Sequence, residues 1–246
     1  MPYRRLPTTD KARLRAIQYA LNAASKKDPG KLAYSKHTLY ELNNIRNTFE
    51  SILKQYESDL KTESEKNSTY RAAFTKARLY VSHFIQTLYM CIEREELKNE
   101  ILDFYGLSGL ENKLPALNTE EELLSWGWKV VNGEQKRLQK GGNAVYNPSI
   151  ALVKAKLEDF EEAAVFQQNL KKNTQRSLAR MKEIRRLTND FISKLWAEIE
   201  QNLGNAPSQQ RRQRAQEYGI VYIFRRKEKK KLKHEGIQVD LLFDFS

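Results

Sequence analysis

From Ser149 to Leu203 the chain passes through more than fifty residues without a glycine or a proline. Nothing in that run removes a backbone donor or relaxes the φ restriction, so helix is the element it favours. The apolar residues agree. Ile150, Val153, Leu157, Phe160, Ala164 and Leu170, then Leu178, Met181, Ile184, Leu187, Phe191, Leu195 and Ile199, recur every three or four positions with charge between them. That is one apolar stripe on a wet helix, and a stripe has to be covered by other elements.

The pattern has an earlier counterpart. At an offset of 111 residues Leu39, Leu42 and Phe49 fall on Ile150, Val153 and Phe160, and at an offset of 107 the run Phe84 to Tyr89 falls on Phe191 to Trp196. The difference of four residues is about one helical turn. Taken as an internal repeat, each copy is two helices joined by a polar turn, at Asn67-Ser68 in the first and near Asn173 in the second. Two such helical hairpins make a four-helix bundle. Helical period alone also generates matches of this kind, and a single helix across Asn173 is compatible with the composition.

The expected fold is therefore mainly α. It has an N-terminal arm and helix over residues 1–34, a first hairpin over 35–105, a connector with a short helix over 106–146, a second hairpin over 147–203, and a basic linker with a small β-hairpin over 204–246. Thr9 is a good N-cap for the first helix, which Asp28-Pro29-Gly30 stops near Lys27. Thr119 and Glu122 form a capping box that opens the connector helix, which carries Trp126-Gly127-Trp128. Neighbours two apart do not share a helix face, so one Trp is expected to pack and the other to stay half exposed. Asn147-Pro148 reads as N-cap and first helical residue of the second copy.

The opening Tyr3-Arg4-Arg5-Leu6-Pro7-Thr8-Thr9-Asp10, with Ala12-Arg13-Leu14 after it, resembles the start of a family of uncharacterised helical proteins from Bacteroides-type bacteria. The resemblance covers this opening and the general helical layout. It implies a helical fold and carries no activity with it.

At 246 residues and 40% apolar, the chain has ample material for a packed core. Its one cysteine, Cys91, falls on an apolar helix face and reads as a buried structural thiol. No stretch approaches the ~18 consecutive apolar residues of a membrane span, and the N-terminus has no apolar run resembling a signal sequence. A cytoplasmic protein without membrane association is expected.

Beyond Gly204 the character changes. Ile220 to Phe224 and Ile237 to Phe245 read as two strands of a hairpin. A lone two-stranded hairpin is marginal in water and needs a surface, another copy or a partner strand. Of the net charge of +12, Pro207 to His234 supplies +8, from ten Arg or Lys against Glu217 and Glu228. Arg211, Arg212, Arg214, Arg225, Arg226, Lys227, Lys229, Lys230, Lys231 and Lys233, interleaved with Tyr218 and Tyr222, are the candidate residues for binding nucleic acid or another partner. Basic side chains would follow phosphates while an aromatic ring stacks on a base.

Catalytic patterns are scarce. None of His37, His83 and His234 has a Glu three residues before it, as a di-iron bundle requires, and three scattered His with one Cys give no zinc cluster. There is no phosphate-binding glycine loop or nucleophile elbow. Acidic groups such as Glu93, Glu95, Glu96 and Glu158, Glu161, Glu162 read as solvated helix faces. No cofactor or metal is expected. The reading is a non-enzymatic helical-bundle protein acting through macromolecular interactions, with an unknown protein partner or a second copy docking on the C-terminal hairpin. Nucleic-acid binding through the basic segment is the alternative, and an enzyme with a site between bundle and connector helix is a third.

Overall fold

A computed structural model describes residues 3–205 and 207–225. The chain is mainly helical with a two-stranded antiparallel sheet. In order the elements are β1 (Tyr3–Arg4), α1 (Asp10–Lys26), a 3-10 turn at Pro29–Lys31, α2 (Lys36–Glu93), a second 3-10 turn at Asn99–Ile101, α3 (Leu102–Tyr105), α4 (Glu120–Gln139), α5 (Ile150–Asn202), α6 (Ser208–Gln216) and β2 (Tyr222–Ile223).

The two expected helical hairpins are not formed. Both α2 and α5 are single helices, running through Asn67-Ser68 and through Asn173 without a break. The polar stretches read as turns consist of residues a helix accepts. Lys61 pairs with Glu65 one turn on, and the hydroxyls of Thr62 and Ser68 donate to the carbonyls of Ser58 and Glu65. With no Gly or Pro between Gly30 and Gly106, losing the apolar stripe does not end the helix. The first copy also ends early: α2 stops at Glu93, and Glu95, in the left-handed region at φ 60°, turns the chain toward α3. Asn147, likewise at φ 60°, and Pro148 lie in the turn before α5 rather than in its first turn.

The chain divides into two compact units, Met1–Glu57 with Arg176–Ser246, and Ser58–Gln175. Each packs three long helical segments, in place of one four-helix bundle. In the first unit α1 presents Ala12, Ala16, Ile17, Ala20 and Ala23. Ala16, Ile17, Ala20 and Ala23 of this small-residue face pack with Leu42 of α2 and Phe191, Ile192, Leu195, Trp196 and Ile199 of α5. A second cluster joins Phe49, Met181 and Ile184 to Leu14, Ile52, Leu53 and Tyr56. Thr9 caps α1 as expected, its hydroxyl accepting from the Ala12 amide at 3.1 Å.

The strand expected over Ile220 to Phe224 is two residues long, and its described partner is the N-terminal arm. Tyr3 faces Ile223 and Arg4 faces Tyr222, and the Arg5 amide donates to the Val221 carbonyl at 2.9 Å. The second expected strand, Ile237 to Phe245, lies outside the described residues.

In the second unit Ala77, Val81, Phe84, Ile85 and Leu88 of α2 meet Leu123, Val130 and Val131 of α4 and Val153, Leu157, Phe160 and Ala164 of α5. The capping box at Thr119 and Glu122 is formed. Two mid-helix glycines of α4 allow close approach. A Cβ on Gly127 would stand 2.4 Å from a Leu157 methyl, and one on Gly133 would stand 2.5 Å from the Phe104 carbonyl oxygen. Trp126 and Trp128 are both half-buried against this core, with Lys129 Nζ 4.3 Å from the Trp126 ring centre.

Continuity of α2 is directly testable. Ser68→Pro would be accepted in a turn but should cost about 3 kcal/mol or more inside a helix. The expected result is a clear fall in melting temperature with reduced far-ultraviolet helicity; an unchanged melting curve would restore the hairpin.

Candidate functional site

The basic segment begins as a helix rather than a linker. Over Ser208–Gln216 only Ala215 is buried, so no apolar stripe announces α6 in the sequence; Gln, Arg and Ala form helix by intrinsic preference. At 100° per residue Arg211, Arg212 and Arg214 fan around this helix instead of sharing one line. Arg211 and Arg212 are half-buried and Arg214 is exposed. The Arg212 guanidinium lies 5.8 Å from the centre of the Phe224 ring, and Arg211 is close enough to Tyr222 to favour its ionised form.

The two tyrosines expected to stack on bases are engaged internally. Tyr218 is buried, edge-on to Tyr34 with ring centres 5.8 Å apart. Its hydroxyl accepts from the Ala33 amide at 3.2 Å and from Lys27 Nζ at 3.4 Å, and the same ammonium pairs with Glu217 at 2.7 Å. Tyr34 in turn donates to the Ala20 carbonyl at 2.7 Å, and burial pushes its hydroxyl pKa up to about 12. Tyr222 is half-buried and donates to Glu200 at 2.6 Å; burial, reinforced by that carboxylate, pushes its pKa up. Arg4 completes this group, 3.6 Å from Glu200. These aromatics fasten the C-terminal segment to α1, α5 and β1.

Beside α6 lies a cleft of about 480 Å³ shared with α1, lined by Tyr19, Asn22, Lys26, Gln213, Gln216 and Glu217 among others. Arg225 is exposed. Arg226, Lys227, Lys229, Lys230, Lys231 and Lys233 lie outside the described residues.

The second unit holds a polar centre that the motif search did not single out. Glu134 and Arg137 are buried one turn apart on α4, and their carboxylate and guanidinium meet twice at 2.8 Å. Tyr105 donates to the same carboxylate and accepts from Arg137 Nε at 2.9 Å. The Val145 amide donates to Glu134 at 3.3 Å, and Arg137 donates to the Asn143 carbonyl at 2.5 Å. Burial by itself would raise the Glu134 carboxyl, but the hydrogen bonds from Arg137 and Tyr105 outweigh it and hold the pKa below the ordinary range. The signal was present in the sequence: Glu134 and Arg137 continue the inward-facing spacing of Leu123, Gly127 and Val130.

This centre is a fastener, tying α3 and the loop before α5 to α4, with its polar atoms mutually satisfied. In the first unit Asp10 plays a similar part, accepting from Arg13 at 3.0 Å and from Arg185 at 2.9 and 2.6 Å.

No group of three or more His, Cys, Asp or Glu positioned to hold a metal occurs among the described residues, and no described helix is long and apolar enough to cross a membrane. Cys91 is half-buried rather than buried, and burial followed by Glu96 raises its thiol pKa. His37 lies 3.6 Å from Glu41 on an exposed face. No protein-family profile, curated protein or solved structure matches the chain. Its charge is divided sharply. Ser58–Gln175 carries 16 Lys or Arg against 17 Asp or Glu, a net of −1, whereas the other unit carries 27 against 14, a net of +13.

Removing Glu134 alone strands a buried guanidinium. Glu134→Gln should destabilise the protein by about 3 to 5 kcal/mol, while Glu134→Leu combined with Arg137→Met should recover only part of that loss, because the Tyr105 hydroxyl and the Val145 amide are left without their acceptor. The contribution of this depressed carboxyl is complete above the ordinary carboxylate pKa and is lost as pH falls through its lower folded value. Urea unfolding measured from neutral to acid pH should therefore show a shallower acid-side loss in the double variant than in the parent chain.

Proposed function

We propose that this chain is a non-enzymatic protein that works by binding macromolecules, with the unit containing α1 and α6 as its polyanion-binding body. The observation that carries this reading is the division of charge: a net of +13 on one unit beside −1 on the other. A concentration of like charge disfavours the compact state through self-repulsion and gains on approach of an opposite charge. The described polar clusters, the buried Tyr105 with Glu134 and Arg137 and the half-buried Asp10 and Arg185 with Arg13, hold the fold together. Docking of a protein partner or second copy on the C-terminal segment belongs to the same reading.

Nucleic acid is the second reading, favoured by the three arginines of α6 and the Lys-rich run that follows. The engagement of Tyr218 and Tyr222 inside the fold shifts the expected mode. Phosphate contact by Arg and Lys fits the geometry better than stacking of bases on tyrosine.

Retention on heparin, and binding of mixed-sequence duplex DNA and single-stranded RNA, should be measured against salt. The comparison is a variant in which Arg214, Arg226, Lys227, Lys229, Lys230, Lys231 and Lys233 are changed to Gln. The parent chain should be retained on heparin and the variant released at clearly lower salt. A nucleic-acid grip adds a fall of log K with log salt of several units, about 0.9 per duplex phosphate neutralised, and a smaller slope in the variant. Equal behaviour of the two proteins would remove the basic segment from the binding surface.

A further inference from the structure

The cleft between α1 and α6 lies wholly within the basic unit, and its walls are fixed. Tyr19, Asn22, Ala23 and Lys26 recur at helical spacing along one side of α1, and Gln213 and Gln216 stand one turn apart on α6. Two contacts just after α6 hold that wall against α1. Lys27 pairs with Glu217 at 2.7 Å, and Gly219, at φ 87°, passes so close that a Cβ there would stand 2.9 Å from that of Tyr19. At about 480 Å³ the space suits one small organic ligand.

The polar groups offered to that space are of two kinds. Three are carboxamides. Gln18 donates to Asn22 Oδ1 at 2.7 Å, which leaves the amide N–H groups of Asn22 to donate elsewhere. The side chains of Gln213 and Gln216 have no hydrogen-bond partner among the described residues, although Gln216 is half-buried. The other group is the ammonium of Lys26, one turn along α1 from Asn22. Among the described residues it pairs with no carboxylate, Glu217 being taken by Lys27. Tyr19, 37% exposed, and the buried Ala23 add an apolar surface between these groups.

A carboxamide sets a donor beside an acceptor. Its complement is a base edge that does the same, as adenine does at N6 and N7. A lysine at the end of such a row supplies the positive charge that a phosphate takes. We propose that this cleft binds one adenine nucleotide, with Gln213 and Gln216 on the edge of the base and Lys26 on the phosphate. The base is read at its edge, and Tyr218 and Tyr222 take no part in holding it. A free nucleotide and a nucleotide within a single strand offer the same groups to the cleft. The inference names the ligand of one site in the unit already read as polyanion-binding, and it rests on that reading.

Calorimetric titration of the full chain with AMP and with CMP, and anisotropy of short labelled single strands of A and of C, test it. Heparin retention of the same chain is the parallel measurement. Adenine should bind at least about fivefold tighter than cytosine, and Gln216→Leu should weaken the adenine ligand about tenfold and remove the preference. Gln213→Leu, at an exposed position, should act in the same direction with an unchanged melting temperature. Lys26→Gln should weaken both bases alike. Binding of AMP marks a site for the free nucleotide; binding of the A strand alone, with the same response to the variants, marks a site for a nucleotide within a strand. Either outcome supports the proposal. A chain that heparin retains but that binds neither AMP nor the A strand overturns it and leaves the polyanion reading standing, whereas failure of heparin retention as well removes both. Binding that is equal for A and C, or that ignores Gln216→Leu and Gln213→Leu, also overturns it.

Discussion

The cores of both units are built on the same two helices. Because α2 and α5 continue without a break, each must offer a buried stripe to one unit and then to the other. Phe49 and Phe84 are buried on one helix, and Phe160 and Phe191 on the other. Everything else is added to this pair. The alanine face of α1 closes one core, and α4, with glycines where Leu157 and Phe104 approach, closes the other. The smaller pieces are fixed by polar fasteners: Tyr218 and Lys27 for the segment after α6, and Glu134 with Arg137 for the loop before α5.

Much of this was legible in the sequence. The apolar stripes of the two long helices, the cap at Thr9 and the capping box at Thr119 express local physics, and each occurs where the residues indicate. The hairpin turns failed for an instructive reason. The stripe does lapse around Asn67 and Asn173, but a lapse marks where a core ends, and a helix of Glu, Lys, Ser and Thr without Gly or Pro continues through it. The division between units lies in or beside these lapses, between Glu57 and Ser58 and between Gln175 and Arg176. α6 was invisible for the opposite reason, since it has helix propensity and almost no stripe. The pairing of β2 with Tyr3 and Arg4 joins residues more than two hundred positions apart, which no local pattern encodes.

For the candidate site, composition told more than motif. The basic segment was evident from its charge, but the roles of its tyrosines were set by tertiary contacts. An aromatic among arginines looks the same in the sequence whether it faces a nucleobase or the buried amide of Ala33. Glu134 and Arg137 carry the converse lesson. Two charges on an apolar stripe are costly unless they satisfy each other, so their spacing foretold a buried pair.

The unit between Ser58 and Gln175 is one continuous run, whereas its companion is assembled from the two flanking segments. During synthesis the continuous unit leaves the ribosome whole while α1 still waits for its partners on α5. Arg13 is separated from Asn189, to which it donates, by 176 residues. Through all that translation the alanine face of α1 has no α5 to cover it, and its short apolar side chains keep that uncovered surface small. In a chain so divided the middle unit is complete in sequence before the flanking unit has both of its segments.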